Sequence, residues 1–268
     1  MNLNVAIAGL GTIGFPVAEA LQRGIPGLAL IGVCSGRRER AEARLRAAKI
    51  DVPVTSIGEL VERADIVVEC VPTQLFRSIA EPVLQTGRVL VTVSGAALLE
   101  APDLVHLAEE KGARIILVTG ALLGLDAVRA AAERQIHSVK MISRKPPSSL
   151  RGAPYLEAKG LDVSTITAPL LVFRGSAREG ARGFPANFNV AAALSLAGIG
   201  ADATELEIWA DPAVTRNMHT ITVEADSVRF SMTIENVPSR ENPATGQITP
   251  LSVIAALRGL VSPLRVGS

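Results

Sequence analysis

Short apolar runs alternate with amphipathic stretches through the first 120 residues of the chain. The apolar runs are rich in β-branched side chains, as in buried parallel strands, and they span residues 3–8, 28–33, 66–70, 89–93 and 115–118. The stretches between them are predicted as helices, one after the first run and others at residues 38–48, 57–63, 75–86 and 101–111. Alternation of this kind predicts a doubly wound α/β domain around a parallel sheet.

The pattern changes after residue 121. Helices are predicted at residues 125–134, 177–182 and 190–196, and extended segments at 138–144, 166–173, 205–209, 220–224 and 229–234. A run of strands of this kind predicts a second α/β (α+β) domain with a mixed or antiparallel sheet. A last helix at residues 250–260 is expected to return to the first domain. The predicted domains are therefore residues 1–121 and 122–242, with a C-terminal segment at 243–268.

A glycine-rich turn follows the first apolar run and opens the first helix. It reads Gly9, Leu10, Gly11, Thr12, Ile13, Gly14. This spacing between a strand and a helix is typical of dinucleotide binding, where the glycines allow the turn, the approach of a pyrophosphate and close helix packing. We therefore predict that Gly9, Gly11, Thr12, Ile13 and Gly14 bind a cofactor. The alternative is a glycine turn that only packs tightly.

The end of the second run indicates which cofactor binds. Dinucleotide sites for NAD usually carry an acidic residue about twenty positions beyond the glycines. Here the strand is followed by Ser35, Arg37 and Arg38, and the first carboxylate is Glu39. Because guanidinium groups bind phosphate in a bidentate manner, we predict that these residues contact the 2′-phosphate of NADP. The prediction also allows an enzyme that uses both NADP and NAD. The alternative is a solvated start of the next helix.

Composition excludes several other classes. The formal charge of +1 and the aromatic content of 3% are not typical of nucleic-acid binding. The longest uncharged apolar stretch, residues 188–200, is too short to span a membrane. The two cysteines and three histidines form no cluster with metal-ligand spacing, so no metal is expected. We predict a cytoplasmic protein that binds neither nucleic acid nor membrane.

The second half carries distinctive motifs in a fixed order. They read Val-Thr-Gly-Ala at 118–121, Gly-Leu-Asp-Ala at 124–127, Ser-Arg-Lys-Pro at 143–146, Gly-Ser-Ala-Arg-Glu-Gly-Ala at 175–181, Phe-Pro-Ala-Asn-Phe-Asn-Val-Ala-Ala at 184–192, Ala-Asp-Pro at 210–212, Asn-Met-His at 217–219 and Glu-Asn-Pro at 241–243. In these motifs the chain resembles the L-aspartate dehydrogenase family, nearly from end to end.

This resemblance implies a fold and an activity. The fold would be a Rossmann-type doubly wound parallel sheet with a second, catalytic α/β domain. The activity would interconvert L-aspartate with oxaloacetate and ammonia through iminosuccinate, using NAD or NADP. The protein would be a homodimer or a higher homo-oligomer. One late motif departs from the family pattern Asn-Pro-Lys-Thr-Ser, since residues 242–246 read Asn-Pro-Ala-Thr-Gly.

The resemblance also assigns site residues. His219 matches the catalytic histidine, and a histidine suits proton transfer because its pKa lies near neutrality. The alternative for His219 is a structural role at the end of a strand. Ala121 and Asn189 match residues that line the nicotinamide site, although Asn189 could instead cap the helix that follows it.

The substrate of this family is a dicarboxylate, which needs cations or aimed N–H donors. We predict that Lys145 and Asn217 bind it. Four cations are candidates, and each of them taken alone is more typical of a surface charge; Lys145 is the preferred one, and the other three are Arg144, Arg174 and Arg178.

Two other functions stay open at this stage. The first is an imine reductase of the dihydrodipicolinate-reductase type or an enzyme for another amino-acid or imino-acid substrate, although the paired histidines with a nearby lysine of that type are not present. The second is an NADP(H)-binding redox sensor without catalysis, and the combination of His219 with Asn217 and Asn189 argues against it.

Overall fold

A computed structural model of the chain describes residues 2–184, 188–239, 241–242 and 245–267. These residues form two compact units. The first extends from the N-terminus to Val118 and also includes Thr249–Val266, and the second comprises Thr119–Ile248.

A parallel sheet forms the centre of the first unit. In the described residues it has five strands, β1 (Leu3–Ala8), β2 (Leu28–Cys34), β3 (Ile66–Glu69), β4 (Val89–Thr92) and β5 (Arg114–Leu117). Their order is β2-β1-β3-β4-β5. The helices that connect them are α1 (Gly14–Arg23), α2 (Arg38–Ala47), α3 (Ile57–Arg63), α4 (Phe76–Gln85), α5 (Gly95–Leu99) and α6 (Pro102–Lys111). The strand order reverses at β1, and ligands of such sheets bind at the carboxyl ends of the strands beside this reversal.

Both faces of this sheet are covered. Along β1, Val5 and Ile7 belong to one buried apolar cluster, whereas Ala6 belongs to a second cluster on the opposite face. The first cluster contains Val17 of α1, and the second contains Phe76 of α4. Burial on both faces explains why the strands read as continuous apolar runs. The predicted doubly wound fold is confirmed.

The second unit contains a mixed sheet. Its strands are β6 (Ile136–Lys145), β7 (Leu170–Ser176), β8 (Thr204–Ala210), β9 (Asn217–Ala225) and β10 (Arg229–Asn236). Among the described residues the order is β10-β9-β6-β8-β7, in which β6 and β8 are parallel and the other neighbours are antiparallel. The helices of this unit are α7 (Leu125–Ala132), α8 (Pro154–Lys159), α9 (Ala177–Gly183) and α10 (Asn189–Ala197). The mixed sheet was one of the two arrangements predicted.

One face of this second sheet is buried beneath helices. Residues of β9 alternate between buried and partly exposed positions along the strand, as expected when a single face is covered. A Cβ atom built on Gly180 of α9 would lie 2.5 Å from Leu206 Cδ2, and one built on Gly198 would lie 3.5 Å from Val139 Cγ2. The side chains of Leu206 and Val139 therefore mark the covered face.

The start of α9 is set by a local hydrogen-bond pattern that the sequence displays. Ser176 Oγ accepts the backbone N–H of Glu179, and the Glu179 carboxylate accepts the backbone N–H of Ser176. This reciprocal pair satisfies two N–H groups that a helix start otherwise leaves without partners.

Several elements differ from the sequence prediction. The short helices α5 and α8 and the 3-10 turns at Thr73–Leu75 and Pro147–Leu150 were not predicted. The extended segment expected at 166–173 lies at Leu170–Ser176 instead. A last helix, α11 (Ile248–Val261), begins two residues before the predicted one. No described helix is both long enough and apolar enough to cross a membrane.

Candidate active site

The glycine turn between β1 and α1 leaves room where a dinucleotide phosphate would need it. Gly9 has a φ of +94°, and a Cβ atom there would lie 2.5 Å from the carbonyl oxygen of Cys70. A Cβ atom on Gly14 would overlap the carbonyl oxygen of Gly9, whereas one on Gly11 would meet no atom within 4 Å. No side chain caps the start of α1 at Ile13. The open Gly11 position and the uncapped helix start fit the pyrophosphate of NAD or NADP.

The residues predicted to bind a 2′-phosphate lie where β2 passes into α2. The backbone N–H of Arg37 donates to Ser35 Oγ at 3.3 Å, which holds the turn together. Arg38 Nε donates to Glu42 Oε1 at 2.9 Å, one turn further along α2. The two arginines therefore differ, because Arg38 already forms an ion pair on the helix surface.

A buried carboxylate that the sequence analysis did not single out lies at the carboxyl end of β3. Glu69 Oε1 accepts the backbone N–H of Val71 at 2.8 Å, and Oε2 accepts the hydroxyl of Thr92 at 2.5 Å. Thr92 Oγ1 in turn accepts the backbone N–H of Ser94. Burial raises the pKa of Glu69. This network ties the ends of β3 and β4 together at the edge of the sheet where ligands bind.

In the second unit, four polar side chains share the buried face of the sheet. Ser143 and Lys145 alternate along β6, and Asn217 and His219 alternate along β9. Ser143 lies directly opposite His219 in the antiparallel register. Each of the four is at most 6% exposed. Polar residues at such positions contradict the apolar pattern of a sheet core, and such exceptions are typical of functional sites.

His219 is held in one orientation by its strand neighbour. Its Nδ1 atom lies 2.9 Å from Ser143 Oγ. Burial lowers the pKa of His219 to about 3, and the positive charge of Lys145 contributes in the same direction. His219 is therefore neutral at neutral pH, and its contact with Ser143 involves Nδ1 rather than Nε2.

Lys145 brings a cation into the same buried cluster. It is 3% exposed, and burial lowers its pKa from 10.5 to about 8. Its backbone carbonyl accepts the N–H of Asp211, the residue that follows β8. The Asp211 carboxylate also accepts hydrogen bonds from Arg144 and from the backbone N–H of Ala213. The Asp-Pro motif thus fixes the end of β8 against the end of β6.

Two asparagines complete the cluster, and only one of them was predicted. The Oδ1 atom of Asn217 lies 3.4 Å from Ser149 Oγ. Asn236, the last residue of β10, lies opposite Asn217, and its Nδ2 atom donates to the carbonyl oxygen of Ala121 at 2.9 Å. No local sequence pattern marked Asn236, because its place in the cluster depends on pairing with residues far away along the chain.

The comparisons with known proteins agree over both units. Residues 126–260 match the family model described as aspartate dehydrogenase, C-terminal, and residues 9–118 match that of the homoserine dehydrogenase NAD-binding domain. The chain is 54% identical to an L-aspartate dehydrogenase of Bradyrhizobium diazoefficiens over 100% of this chain and 95% of the relative. It is 52% identical to L-aspartate dehydrogenase 3 of Bordetella bronchiseptica over 100% of this chain and 98% of the relative.

The chain belongs to the L-aspartate dehydrogenase family. The resemblance drawn from the motifs is thereby confirmed. The crystal structure of aspartate dehydrogenase from Thermotoga maritima has the same fold, with a TM-score of 0.71 at 23% identity over the whole of both chains. The match to an NAD-binding domain also supports a nicotinamide dinucleotide as the cofactor of this family member.

Lys145 lies in a different environment from the other three candidate cations for substrate binding. Arg174 forms an ion pair with Glu207 at 2.9 Å, and Arg178 binds Asp202 through two nitrogens. Both arginines are thus engaged on the surface of the unit, as Arg144 is with Asp211. Of the four cations, Lys145 is the one that lies on the buried face with His219.

The motif at 184–192 and the late motif at 242–246 are described only in part. Residues 185–187, 243 and 244 lie outside the described residues. Asn189 is the first residue of α10 and is exposed, whereas the N-cap of this helix is Phe188. The alternative that Asn189 caps the helix is therefore wrong, and contact with the nicotinamide stays a prediction. No group of three or more metal-binding side chains occurs among the described residues.

Proposed function

We propose that His219 is the proton-transfer residue of an NAD(P)-dependent oxidation of L-aspartate. The reaction gives iminosuccinate, which water converts to oxaloacetate and ammonia. The observation that carries this assignment is a neutral, buried histidine beside a buried lysine on neighbouring strands of one sheet. The activity itself is that of the family to which the chain belongs, and it makes the chain an oxidoreductase that acts on an amino-acid donor.

A cofactor supplies the redox chemistry of this reaction. When bound, it would supply the acceptor for the hydride that Cα of aspartate loses. The glycine turn fits the pyrophosphate, the arginine-containing turn after β2 would hold a 2′-phosphate, and two further residues would line the nicotinamide. These residues are Gly9, Gly11, Thr12, Ile13 and Gly14 for the pyrophosphate, Ser35, Arg37 and Arg38 for the 2′-phosphate, and Ala121 and Asn189 for the nicotinamide.

His219 would act as the base. Aspartate carries an ammonium group that must lose a proton before its nitrogen can form an imine. In the tautomer in which Nδ1–H donates to Ser143 Oγ, the neutral ring of His219 has its acceptor at Nε2 and takes the proton there. It takes either the ammonium proton before hydride leaves or a proton of the water that adds to the imine carbon. A neutral imidazole is required for both steps, and burial keeps it neutral. The same burial makes it a weaker base than the ordinary histidine expected from the sequence, and the negative charge of a bound dicarboxylate would raise its pKa again.

Lys145 and Asn217 would bind the carboxylates of the substrate. A dicarboxylate is costly to remove from water unless its charges are paired. Lys145 supplies a positive charge inside the cluster. The Asn217 amide turns its oxygen toward Ser149, which leaves its Nδ2 group to donate to a carboxylate.

Substitution of His219 tests the assignment. General-base catalysis typically contributes about 10²–10⁴-fold, so His219→Ala and His219→Asn should lower kcat by that order. Binding of NADPH, followed by its fluorescence, should remain nearly unchanged. Near-native turnover of aspartate by His219→Ala would make the histidine structural, and the base would then have to be sought at Lys145.

A panel of substrates tests the reaction. Wild-type protein should reduce NADP⁺ or NAD⁺ with L-aspartate, and it should oxidise NADPH or NADH with oxaloacetate and ammonia. D-aspartate, glutamate and alanine serve as controls. Tight NADPH binding without turnover of any of these compounds would favour a redox sensor. Turnover of a cyclic imine alone would favour an imine reductase.

The proposal also includes a cytoplasmic homodimer or higher homo-oligomer. Family membership supports the oligomer, and the free Cys34 and Cys70 are in keeping with a reducing compartment. Sedimentation equilibrium of the purified chain measures the oligomeric state, and a monomer at micromolar concentration would contradict this part of the proposal.

A further inference from the structure

Asn236 belongs to the buried polar cluster by its position in the sheet. It ends β10 and lies opposite Asn217 of β9 in the antiparallel register. Side chains at directly opposite positions share a face, with their Cβ atoms about 4.5–5.5 Å apart. Asn236 is 4% exposed. It therefore faces the same buried space as Asn217 and His219.

The two ends of the Asn236 amide differ in their hydrogen bonds: among the described residues Nδ2 has a partner and Oδ1 has none. Its Nδ2 atom donates to the carbonyl oxygen of Ala121, and this bond fixes which end of the amide is the oxygen. The Oδ1 atom is buried and accepts no hydrogen bond from the described part of the chain. A buried acceptor without a donor is costly, so this atom is suited to a donor that arrives with a ligand.

The backbone of residue 246 lies close to this oxygen. Residue 246 is a glycine, and a Cβ atom there would lie 3.3 Å from Asn236 Oδ1. A larger side chain at this position would crowd the oxygen. The glycine therefore keeps side-chain atoms away from the acceptor on the side that faces residue 246.

The neighbouring groups indicate which ligand atom would bind there. Lys145 is a donor and suits a carboxylate. Asn217 Oδ1 already lies beside Ser149 Oγ, and His219 Nδ1 lies beside Ser143 Oγ. An amino dicarboxylate has a single group that only donates, its α-ammonium. His219 Nε2 is the proton acceptor of the proposed reaction, and Asn236 Oδ1 is a further acceptor in the cluster that the described residues leave unused.

We propose that Asn236 Oδ1 accepts a hydrogen bond from the α-amino group of the substrate and so selects amino dicarboxylates over dicarboxylates that lack an amine. This inference rests on the proposed oxidation of aspartate. Through Nδ2 the same side chain holds the carbonyl of Ala121, a residue predicted to line the nicotinamide site. Asn236 would thus position the substrate nitrogen and the Ala121 segment together.

Succinate provides a matched probe, because it has both carboxylates of aspartate but no amine. The quantity to measure is the ratio of the inhibition constant of succinate to the KM of L-aspartate at saturating NADP⁺. In Asn236→Leu, which removes the acceptor, this ratio should fall by about tenfold or more, since hydrogen bonds to charged groups are the stronger class. In Asn236→Asp, the ratio should be kept or increased, because a carboxylate attracts the ammonium and repels succinate.

These opposite directions separate ligand binding from a purely structural role. Equal weakening of both constants in both variants, or no change in either constant, would overturn the proposal. Glu235→Gln is the control, since Glu235 is the exposed neighbour on β10 and should leave both constants unchanged. The dissociation constant of NADPH is measured in parallel. Loss of NADPH affinity with an unchanged ratio would assign Oδ1 to the cofactor and overturn the proposal.

The wild-type assay distinguishes the two levels of inference. If the wild-type chain does not oxidise L-aspartate with either cofactor, the proposed function fails and the assignment of Asn236 falls with it. If the wild-type chain is active and the ratio does not respond to Asn236, only the assignment of Asn236 fails. Thermal unfolding of each variant confirms that the compared proteins are folded.

Discussion

Burial favours the neutral form of both His219 and Lys145, but the consequences at neutral pH differ. His219 has a pKa of about 3 and carries no charge, so it can accept a proton. Lys145 has a pKa of about 8 and remains largely protonated, so it can bind an anion. The lowered pKa of Lys145 also has a thermodynamic meaning. As the pH is lowered from 10.5 to 8, the free energy of unfolding falls by about 3 kcal/mol, because the buried ammonium is poorly solvated. A site for a dianion can offset such a cost when the ligand binds.

The pH dependence of succinate binding tests the role of Lys145. Below pH 8 the lysine of the free enzyme is protonated and can pair with a carboxylate. Above this value it loses its proton, so the inhibition constant of succinate should rise by about tenfold for each further pH unit. Succinate keeps both of its charges over this range. A change of slope (a bend) in the plot of its inhibition constant against pH therefore comes from the protein.

The variant Lys145→Met supplies the comparison for this measurement. Without the ammonium group, succinate should bind weakly at every pH between 7 and about 10, and the bend near pH 8 should disappear. A bend that persists in the variant would assign the titration to another group. A wild-type inhibition constant that stays flat through pH 8 would show that Lys145 does not bind the carboxylate.

At the residue scale, the sequence selected several residues of the buried polar cluster but not their contacts. The motifs selected His219, Lys145 and Asn217, and all three lie on one buried face. Ser143 and Asn236 were not selected, since their partners are 76 and 115 residues away along the chain. Such contacts depend on strand register, which no local pattern specifies.

At the element scale, the apolar periodicity identified the long elements because burial on one or both faces leaves a repeat in the sequence. The helix α5 has five residues and α8 has six, so neither presents enough turns for a helical repeat to be recognised. The strand β9 begins at Asn217, earlier than predicted, because buried polar residues interrupt its apolar pattern. The buried polar cluster itself therefore obscured the start of the strand in the sequence pattern.

The preference for NADP⁺ over NAD⁺ is predicted to depend on the residues between β2 and α2. Arg37→Ala should weaken NADP⁺ binding by about 1.5–3 kcal/mol and leave NAD⁺ binding nearly unchanged, because only NADP⁺ carries the 2′-phosphate. Arg38→Ala should have a smaller effect, since Arg38 already pairs with Glu42. Dissociation constants of both cofactors from fluorescence titration measure these differences.

Arg46 is the matched control for these residues. Arg46 lies on α2, the helix that begins directly after Arg37. Its Nη1 atom is 3.9 Å from Glu42 Oε2, and both side chains face solvent. Exposed pairs of this kind contribute little, so Arg46→Ala should bind both cofactors as the wild type does. Equal loss of NAD⁺ and NADP⁺ affinity in Arg37→Ala would reduce the residue to a structural part of the turn.

At the scale of the whole molecule, the chain leaves the first unit after Val118 and returns to it with α11. Val253 and Leu257 of this helix are fully buried in the same apolar cluster as Val5 and Ile7 of β1. The core of the nucleotide-binding unit thus combines residues from both ends of the sequence. We expect this unit to depend on α11 for stability, although the sequence from the N-terminus to Val118 contains all of its strands.

A pair of leucines on α11 tests this dependence. Leu257 is fully buried and Leu251 is 58% exposed on the same helix. Leu257→Ala removes buried methyl groups and leaves a cavity, so it should lower the free energy of unfolding by about 2–5 kcal/mol. Leu251→Ala should change it by no more than about 0.5 kcal/mol. Urea unfolding followed by far-UV circular dichroism measures both values for the full chain. Because the lone Trp209 lies in β8, its fluorescence reports on the second unit in the same experiment. Equal midpoints for the two variants would mean that the first unit does not need α11 for its core.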